Sequence, residues 1–139
     1  MRLTPAECRR RLAGARHAIL ATVTPDGRPH VVPVVFVLGG DRIFTAVDTK
    51  PKSTPELQRV RNVRAQPRAA VLAEHYHEDW ARLWWVRADG DAEVVDGPVQ
   101  AVRAGASLLA RRYPQYRGVP PPGPLIVVRV TAWSGWSAA

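Results

Sequence analysis

The chain has 139 residues, 46% of them hydrophobic and 23% charged, the size and composition of one ordinary globular domain rather than of a disordered or fibrous chain. Its single cysteine, Cys8, excludes an intrachain disulfide and suits a reducing compartment. Twenty Lys and Arg against 12 Asp and Glu give a net charge of +8, and among those basic residues only Lys50 and Lys52 are lysine.

Residues 1–70 carry the whole excess, with 13 basic and 5 acidic side chains, while residues 71–139 hold 7 of each. A basic stretch on a small domain calls for an anionic partner: nucleic acid, a phosphorylated cofactor or an acidic membrane. Isolated arginines are ordinarily a solvated face. The N-terminal residues lack the apolar stretch of a signal peptide, and no run of about 18 apolar residues marks a membrane span. A cytoplasmic protein without a membrane partner is expected.

In chain order, Thr4-Pro5-Ala6-Glu7 predicts a helix start, with Thr4 as N-cap, Pro5 in the first turn and Glu7 closing a capping box. The helix should run to about Arg16, with Cys8, Leu12 and Ala15 on its apolar stripe. His17–Thr24 reads as a strand, Pro25-Asp26-Gly27-Arg28 as a turn, and Pro29–Leu38 as one buried strand whose Pro33 implies a bulge or an edge. Gly39-Gly40-Asp41 turns the chain into a third strand, 42–47. Ser53 or Thr54 should cap a helix with Pro55 in its first turn, ending near Ala65. Strands follow at Arg68–His75 and Arg82–Ala88, with a bulge or turn at Asp89-Gly90 before 91–95. Gly97-Pro98 opens a third helix to about Arg112, a proline-rich loop comes next, and Leu125–Thr131 is the last strand, followed by a tail. Six strands with short helices at the corners and hairpin connections fit a small, mostly antiparallel barrel, not a doubly wound sheet.

Several chemistries are absent. There is no P-loop, no dinucleotide-binding glycine fingerprint, no serine-hydrolase elbow and no EF-hand loop. Cys8 sits on an apolar helix face, where a packed core residue is the ordinary reading. His75 and His77 would point the same way on a strand, but no third ligand is evident and no metal site is expected.

Two features carry more weight. Lys50-Pro51-Lys52 lies between a strand and a helix start, where two ammonium groups form an anion site. Of the five tryptophans, Trp84 and Trp85 must face opposite sides of a strand, and Trp133 and Trp136 close the chain. Partly buried rings there suit a flat cofactor as well as core or dimer packing.

Together these residues resemble a known family. Ala21-Thr-Val-Thr-Pro-Asp-Gly-Arg-Pro-His-Val-Val-Pro-Val-Val-Phe36 is similar to the opening hairpin of the pyridoxamine 5′-phosphate oxidase-like split-barrel enzymes. Thr45-Ala-Val-Asp-Thr-Lys-Pro-Lys52, Arg61-Asn62, Trp84-Trp-Val-Arg-Ala-Asp-Gly90, Arg112-Tyr-Pro-Gln-Tyr116 and Trp133-Ser-Gly-Trp136 resemble its actinobacterial coenzyme F420-dependent branch. The likeness covers nearly the whole chain.

The resemblance implies a homodimer of six-stranded antiparallel split β-barrels, one domain over residues 1–139, with two cofactor grooves along the interface. It implies that the strands bearing Pro33 and Thr45 flank the cofactor and that Lys50 and Lys52 hold its phosphate. Arg61 is then a candidate for the acidic tail, and Trp136 of either subunit a candidate neighbour of the ring system. The implied cofactor is coenzyme F420, with FMN as the alternative; haem occurs occasionally in the family. Lys-Pro-Lys replaces the arginine-lysine phosphate pattern of true pyridoxamine phosphate oxidases, so that activity is not expected. The implied chemistry is hydride transfer between the deazaflavin and a small organic substrate, with the protein supplying binding, orientation and electrostatics. No catalytic residue is assigned; His30, Tyr113 and Tyr116 are possible proton donors. A non-catalytic F420 carrier is a further reading. A nucleic-acid-binding barrel is a minor one, because residues 48–68 contain no aromatic side chain to stack bases.

Overall fold

The helix start written in Thr4-Pro5-Ala6-Glu7 forms as expected. In the computed structural model, which describes residues 1–46, 57–96, 100–118 and 124–139, α1 spans Pro5–Gly14 and the Thr4 hydroxyl accepts the Glu7 N–H at 3.2 Å. Cys8 and Leu12, four residues apart on one face, are fully buried. The helix packs on two strands, β6 (Trp84–Val95) and β7 (Leu125–Ser137). Its end comes at Gly14 rather than Arg16, where Ala15 turns extended.

Strands β1 (Ala18–Val23) and β2 (Pro29–Val34) form the expected hairpin. Gly27 takes φ +89°, a backbone conformation that costs glycine nothing. The Thr24 hydroxyl accepts the Arg28 N–H at 2.8 Å and donates to Asp26.

The apolar run 29–38 is not one buried strand. β2 pairs only with β1 and is a sheet edge, with Val31 63% exposed. Pro33, lacking an N–H, is tolerated there. After Val35 and Phe36 the chain enters a different ladder as β3 (Val37–Gly39), paired with β4 (Arg42–Ala46). Backbone groups that leave a ladder must find other partners. Here the Thr45 hydroxyl donates to the Val35 carbonyl at 2.8 Å. The Tyr113 hydroxyl accepts the Phe36 N–H at 3.0 Å and lies 2.8 Å from the Phe36 carbonyl. This corner makes the sheet seven-stranded rather than six-stranded.

Further corrections concern boundaries. Helix α2 spans Gln58–Ala65 with Leu57 extended before it, so it starts later than the expected Pro55; Ser53, Thr54 and Pro55 lie outside the described residues. Helix α3 spans Gln100–Arg112, and Gly97-Pro98, the expected opening, also lies outside them. β5 (Arg68–His75) pairs with the single long strand β6, whose register shifts at Asp89/Gly90. A Cβ on Gly90 would stand 2.2 Å from the Arg129 carbonyl oxygen, so only glycine fits the bulge. β7 continues to Ser137, not Thr131, because β6 offers it partners as far as Trp84. Trp133 and Trp136 are therefore ladder residues opposite Ala88 and Trp85, not a tail.

The sheet order is β2-β1-β5-β6-β7-β4-β3, with antiparallel pairs throughout. Its two edge strands are joined through Val35 and Phe36 alone, so the sheet must curl until its edges meet: a split barrel. Alternate residues of β4 and β7 face two cores. Ile43, Ile126 and Val128 join Leu20, Phe36, Val71 and Val86 inside the barrel, while Phe44, Leu125 and Val127 pack with Leu109 of α3. Each such side chain contributes roughly 1.5–3 kcal/mol by burial.

Candidate functional site

Where β2 ends, β4 ends and α2 begins, a cavity of about 210 Å³ opens. Its lining is His17, Pro33, Val34, Val35, Ala46 and Arg59. Arg59 is the chemically distinctive member. Its Nε is buried without a hydrogen-bond partner, and no ion pair of Arg59 occurs among the described residues. At about 100° per residue, Arg59 falls between Asn62 and Val63, both buried, on the inward side of α2. The first turn of α2 carries no acidic side chain. A guanidinium with a buried N–H and no acceptor is unfavourable, and an anion supplied from outside relieves it. The cavity therefore fits an anionic group such as a cofactor phosphate.

Pro33 lines this cavity. Thr45 lies next to it in sequence terms, one residue before Ala46, but is 2% exposed and spends its hydroxyl on Val35. Arg61, two residues from Arg59, points to the other side of α2, where it is exposed and hydrogen-bonded to Gln58. Trp136 is 39% exposed on β7. In the sheet order it is separated from β2 by β6, β5 and β1 on one side and by β4 and β3 on the other, so it does not line the cavity. Lys50 and Lys52 lie outside the described residues, on the segment joining Ala46 to Leu57. The structure thus brings together Pro33, His17 and Arg59. Neither His17 nor Arg59 was assigned to a cofactor site from sequence, although the periodicity of α2, with Val60 and Val63 inward, singles out Arg59 over Arg61.

Beside the cavity α2 is fixed by a polar chain. The Gln58 amide donates to Asn62 Oδ1 at 2.7 Å, and Asn62, fully buried, donates to the Thr22 hydroxyl at 3.0 Å. Opposite Thr22 on β2 stands His30, whose Nδ1 is buried without a partner. Of the other possible proton donors, Tyr113 is engaged at the β2–β3 corner, its hydroxyl also 3.0 Å from the Arg16 carbonyl. Its ring meets Tyr116 edge-on.

The remaining sequence features have structural partners. His75 stacks on Trp84 at 6.0 Å between centroids, and His77 Nδ1 accepts the Asp79 N–H at 2.9 Å. No group of three metal-ligating side chains occurs among the described residues. Trp84 packs against the inner core and carries Arg11 over its ring, while Trp85, on the other face, carries Arg87. Burial pushes the Cys8 thiol up from its ordinary pKa. No helix among the described residues is long and apolar enough to cross a membrane.

A second, larger groove of about 550 Å³ lies across β1, β5 and β6, with Ala21, Val23, Pro29 and Ala70 among its lining and Arg68, Asp89 and Asp91 at its margin. It continues a largely apolar outer face formed by the cross-strand rows Pro33–Ile19–Leu72 and Val31–Ala21–Ala70.

A family model described as pyridoxamine 5′-phosphate oxidase matches residues 4–137. A conserved hypothetical protein of Mycobacterium tuberculosis is 26% identical, with 98% of this chain and 86% of that one covered and a TM-score of 0.74. A FAD-binding protein of Mesorhizobium loti is 21% identical, covering 97% of this chain and 95% of that one, with a TM-score of 0.71. A heme storage protein of Vibrio cholerae is 18% identical, covering 96% and 94%, with a TM-score of 0.68. The last two likenesses are of fold. No curated protein matches the chain.

Proposed function

The chain belongs to the pyridoxamine 5′-phosphate oxidase family, and on that premise we propose that it is a coenzyme F420-dependent oxidoreductase acting on a small organic substrate. When bound, the deazaflavin supplies hydride transfer, and the protein's part is binding and orientation. The observation that carries the reading is the cavity at the junction of β2, β4 and α2, where Pro33 meets Arg59, whose buried Nε has no hydrogen-bond partner among the described residues.

In this reading Lys50 and Lys52, on the segment leaving Ala46, hold the cofactor phosphate. Pro33 and the Thr45 strand flank the cofactor, and exposed Arg61 meets its acidic tail. Trp136 does not line the cavity; in this reading it neighbours the bound ring system from either subunit. The proposed assembly is a homodimer joined through the outer face around Ile19, Ala21, Ala70 and Leu72, which the groove over β1, β5 and β6 extends.

Fluorescence titration with F420 and with FMN tests the cofactor. Wild type should bind F420, and Lys50→Ala/Lys52→Ala should lose about tenfold or more of that affinity, the worth of charged hydrogen bonds. Equal binding by the double variant removes the lysines from the site. A second reading, an FMN enzyme on the same fold, is favoured by the flavin-binding structural neighbour. Tight FMN binding with no affinity for F420 establishes it instead. Oxidation of reduced F420 in a substrate screen separates an enzyme from a cofactor carrier.

A further inference from the structure

Strand β5 reads Arg68-Ala-Ala-Val-Leu-Ala-Glu-His75, and alternate side chains of a strand take opposite faces of the sheet. Ala69, Val71 and Ala73 belong to the inner core, so Arg68, Ala70, Leu72 and Glu74 stand on the outer face. That face of β5 presents a cation, two half-buried apolar residues and an anion, in that order. Arg68 and Glu74 lie three residues to either side of Val71, roughly 10 Å each way at the strand rise. Both are exposed, and neither forms an ion pair among the described residues. Asp91, the cross-strand neighbour of Arg68, is bonded to Arg129 at 2.7 Å, and the neighbour of Glu74 on β6 is Trp85. The adjoining strands repeat the order about one line, the inward row Val32–Leu20–Val71–Ala88. On one side of it the outer row Val31–Ala21–Ala70 ends in Asp89, and on the other the outer row Pro33–Ile19–Leu72 ends in Arg87.

We propose that two copies of this chain pack these outer faces about a two-fold axis crossing β5 at Val71, with Arg68 of each copy paired to Glu74 of the partner subunit. A two-fold interface has to be self-complementary, because every contact recurs with the roles exchanged. Turning the face about a line across the strands at Val71 lays β5 antiparallel on β5. Arg68 then falls on the partner's Glu74, Ala70 on the partner's Leu72, and Ala21 on the partner's Ile19. On β6 the same turn brings Asp89 to the partner's Arg87, so opposite charges meet on both strands and apolar residues meet on β1 and in the middle of β5. A two-fold axis along the strands would instead set Arg68 on the partner's Arg68 and Glu74 on the partner's Glu74, and facing like charges disfavour that arrangement. The groove over β1, β5 and β6 has Arg68 at its margin and receives the partner's Glu74. The pairing specifies how the homodimer proposed above is joined, and it rests on that part of the reading rather than on the cofactor.

The test measures the mass of the full chain by sedimentation over a concentration series. It compares wild type, Arg68→Glu, Glu74→Arg, the variant carrying both changes, and an equimolar mixture of the two single variants. Wild type should be dimeric. Each single reversal should weaken self-association about a hundredfold or more, since the axis repeats every like-charge contact. The double variant and the mixture should both return to dimers, because each restores opposite charges at both contacts. That recovery also shows that the single variants are folded. Single variants as dimeric as wild type overturn the pairing and leave the homodimer standing. Monomeric single variants whose mixture stays monomeric overturn the pairing as well. A monomeric wild type overturns both the pairing and the homodimer and leaves the face to another partner, while F420 titration decides the cofactor separately. If a single variant does not fold, Arg87→Glu and Asp89→Lys should behave in the same way, and a mixture of those two that stays monomeric overturns the axis.

Discussion

Glu7 accepts hydrogen bonds from Arg10 and, at 3.0 Å, from Arg11 Nε. Those two bonds, ahead of the charges themselves, hold its carboxyl at about 2 instead of 4.5. Because the folded pKa is lowered, the stability this group contributes is full above the unfolded value and is lost as pH falls from about 4.5 toward 2. Glu7 is solvent-screened, so the effect on overall stability should be small. The carboxyl resonance of Glu7 should titrate with a midpoint near 2 in an NMR series; a midpoint at the ordinary value would show that the arginine contacts do not persist in solution. Cys8 illustrates the opposite influence at the same scale. It is fully buried, and its Sγ lies so near Gly135 that a Cβ there would come within 2.6 Å. The thiol is a packing element, as its helical position suggested.

At the scale of elements, the decisive feature is the corner between β2 and β3. Beyond Pro33 the run Val34–Leu38 is continuously apolar and carries no mark of where one ladder stops and the next begins, so residues 29–38 read as one strand. The break is held from outside the run, by Thr45 on β4 and by Tyr113 just past α3. Tyr113→Phe should therefore cost about 1–3 kcal/mol, the price of leaving the Phe36 amide and carbonyl without their partner. Urea unfolding measures it, and unchanged stability would mean that the corner does not depend on the hydroxyl. Helix α2 teaches a related lesson. Arg59 and Arg61 look equivalent in a basic stretch, yet two residues along a helix reverse the side-chain direction. Arg61 ends exposed on Gln58 and Arg59 ends at the cavity.

For the whole molecule, the open question posed by the fold is the outer face of the sheet. Ile19, Ala21, Ala70 and Leu72 are half-buried on that outer face, and β1 together with the middle of β5, Ala69–Ala73, is apolar on both faces but for Thr22, the pattern of strands covered on both sides. In the proposed dimer this face is the interface. Sedimentation should give a mass twice the 15.3 kDa of one chain, and Ala21→Arg, which places a charge in the middle of the face, should shift it to the monomer. A wild-type mass of one chain at micromolar concentration would refute the dimer.

The sequence by itself determined the local elements: the capped first helix, the Pro25–Arg28 turn, the antiparallel β-rich class, Pro33 as a bulge or an edge, and the family resemblance. Each depends on residues within a few positions of one another, where propensity, capping and turn chemistry act. It also located the basic excess in the first half. Only the tertiary structure decided that the sheet has seven strands, that Trp133 and Trp136 pair inside a ladder, and that the cavity is formed by His17, Pro33 and Arg59. Those outcomes join residues far apart in the chain, and they follow from which backbone groups and charges still lack a partner once the barrel has closed.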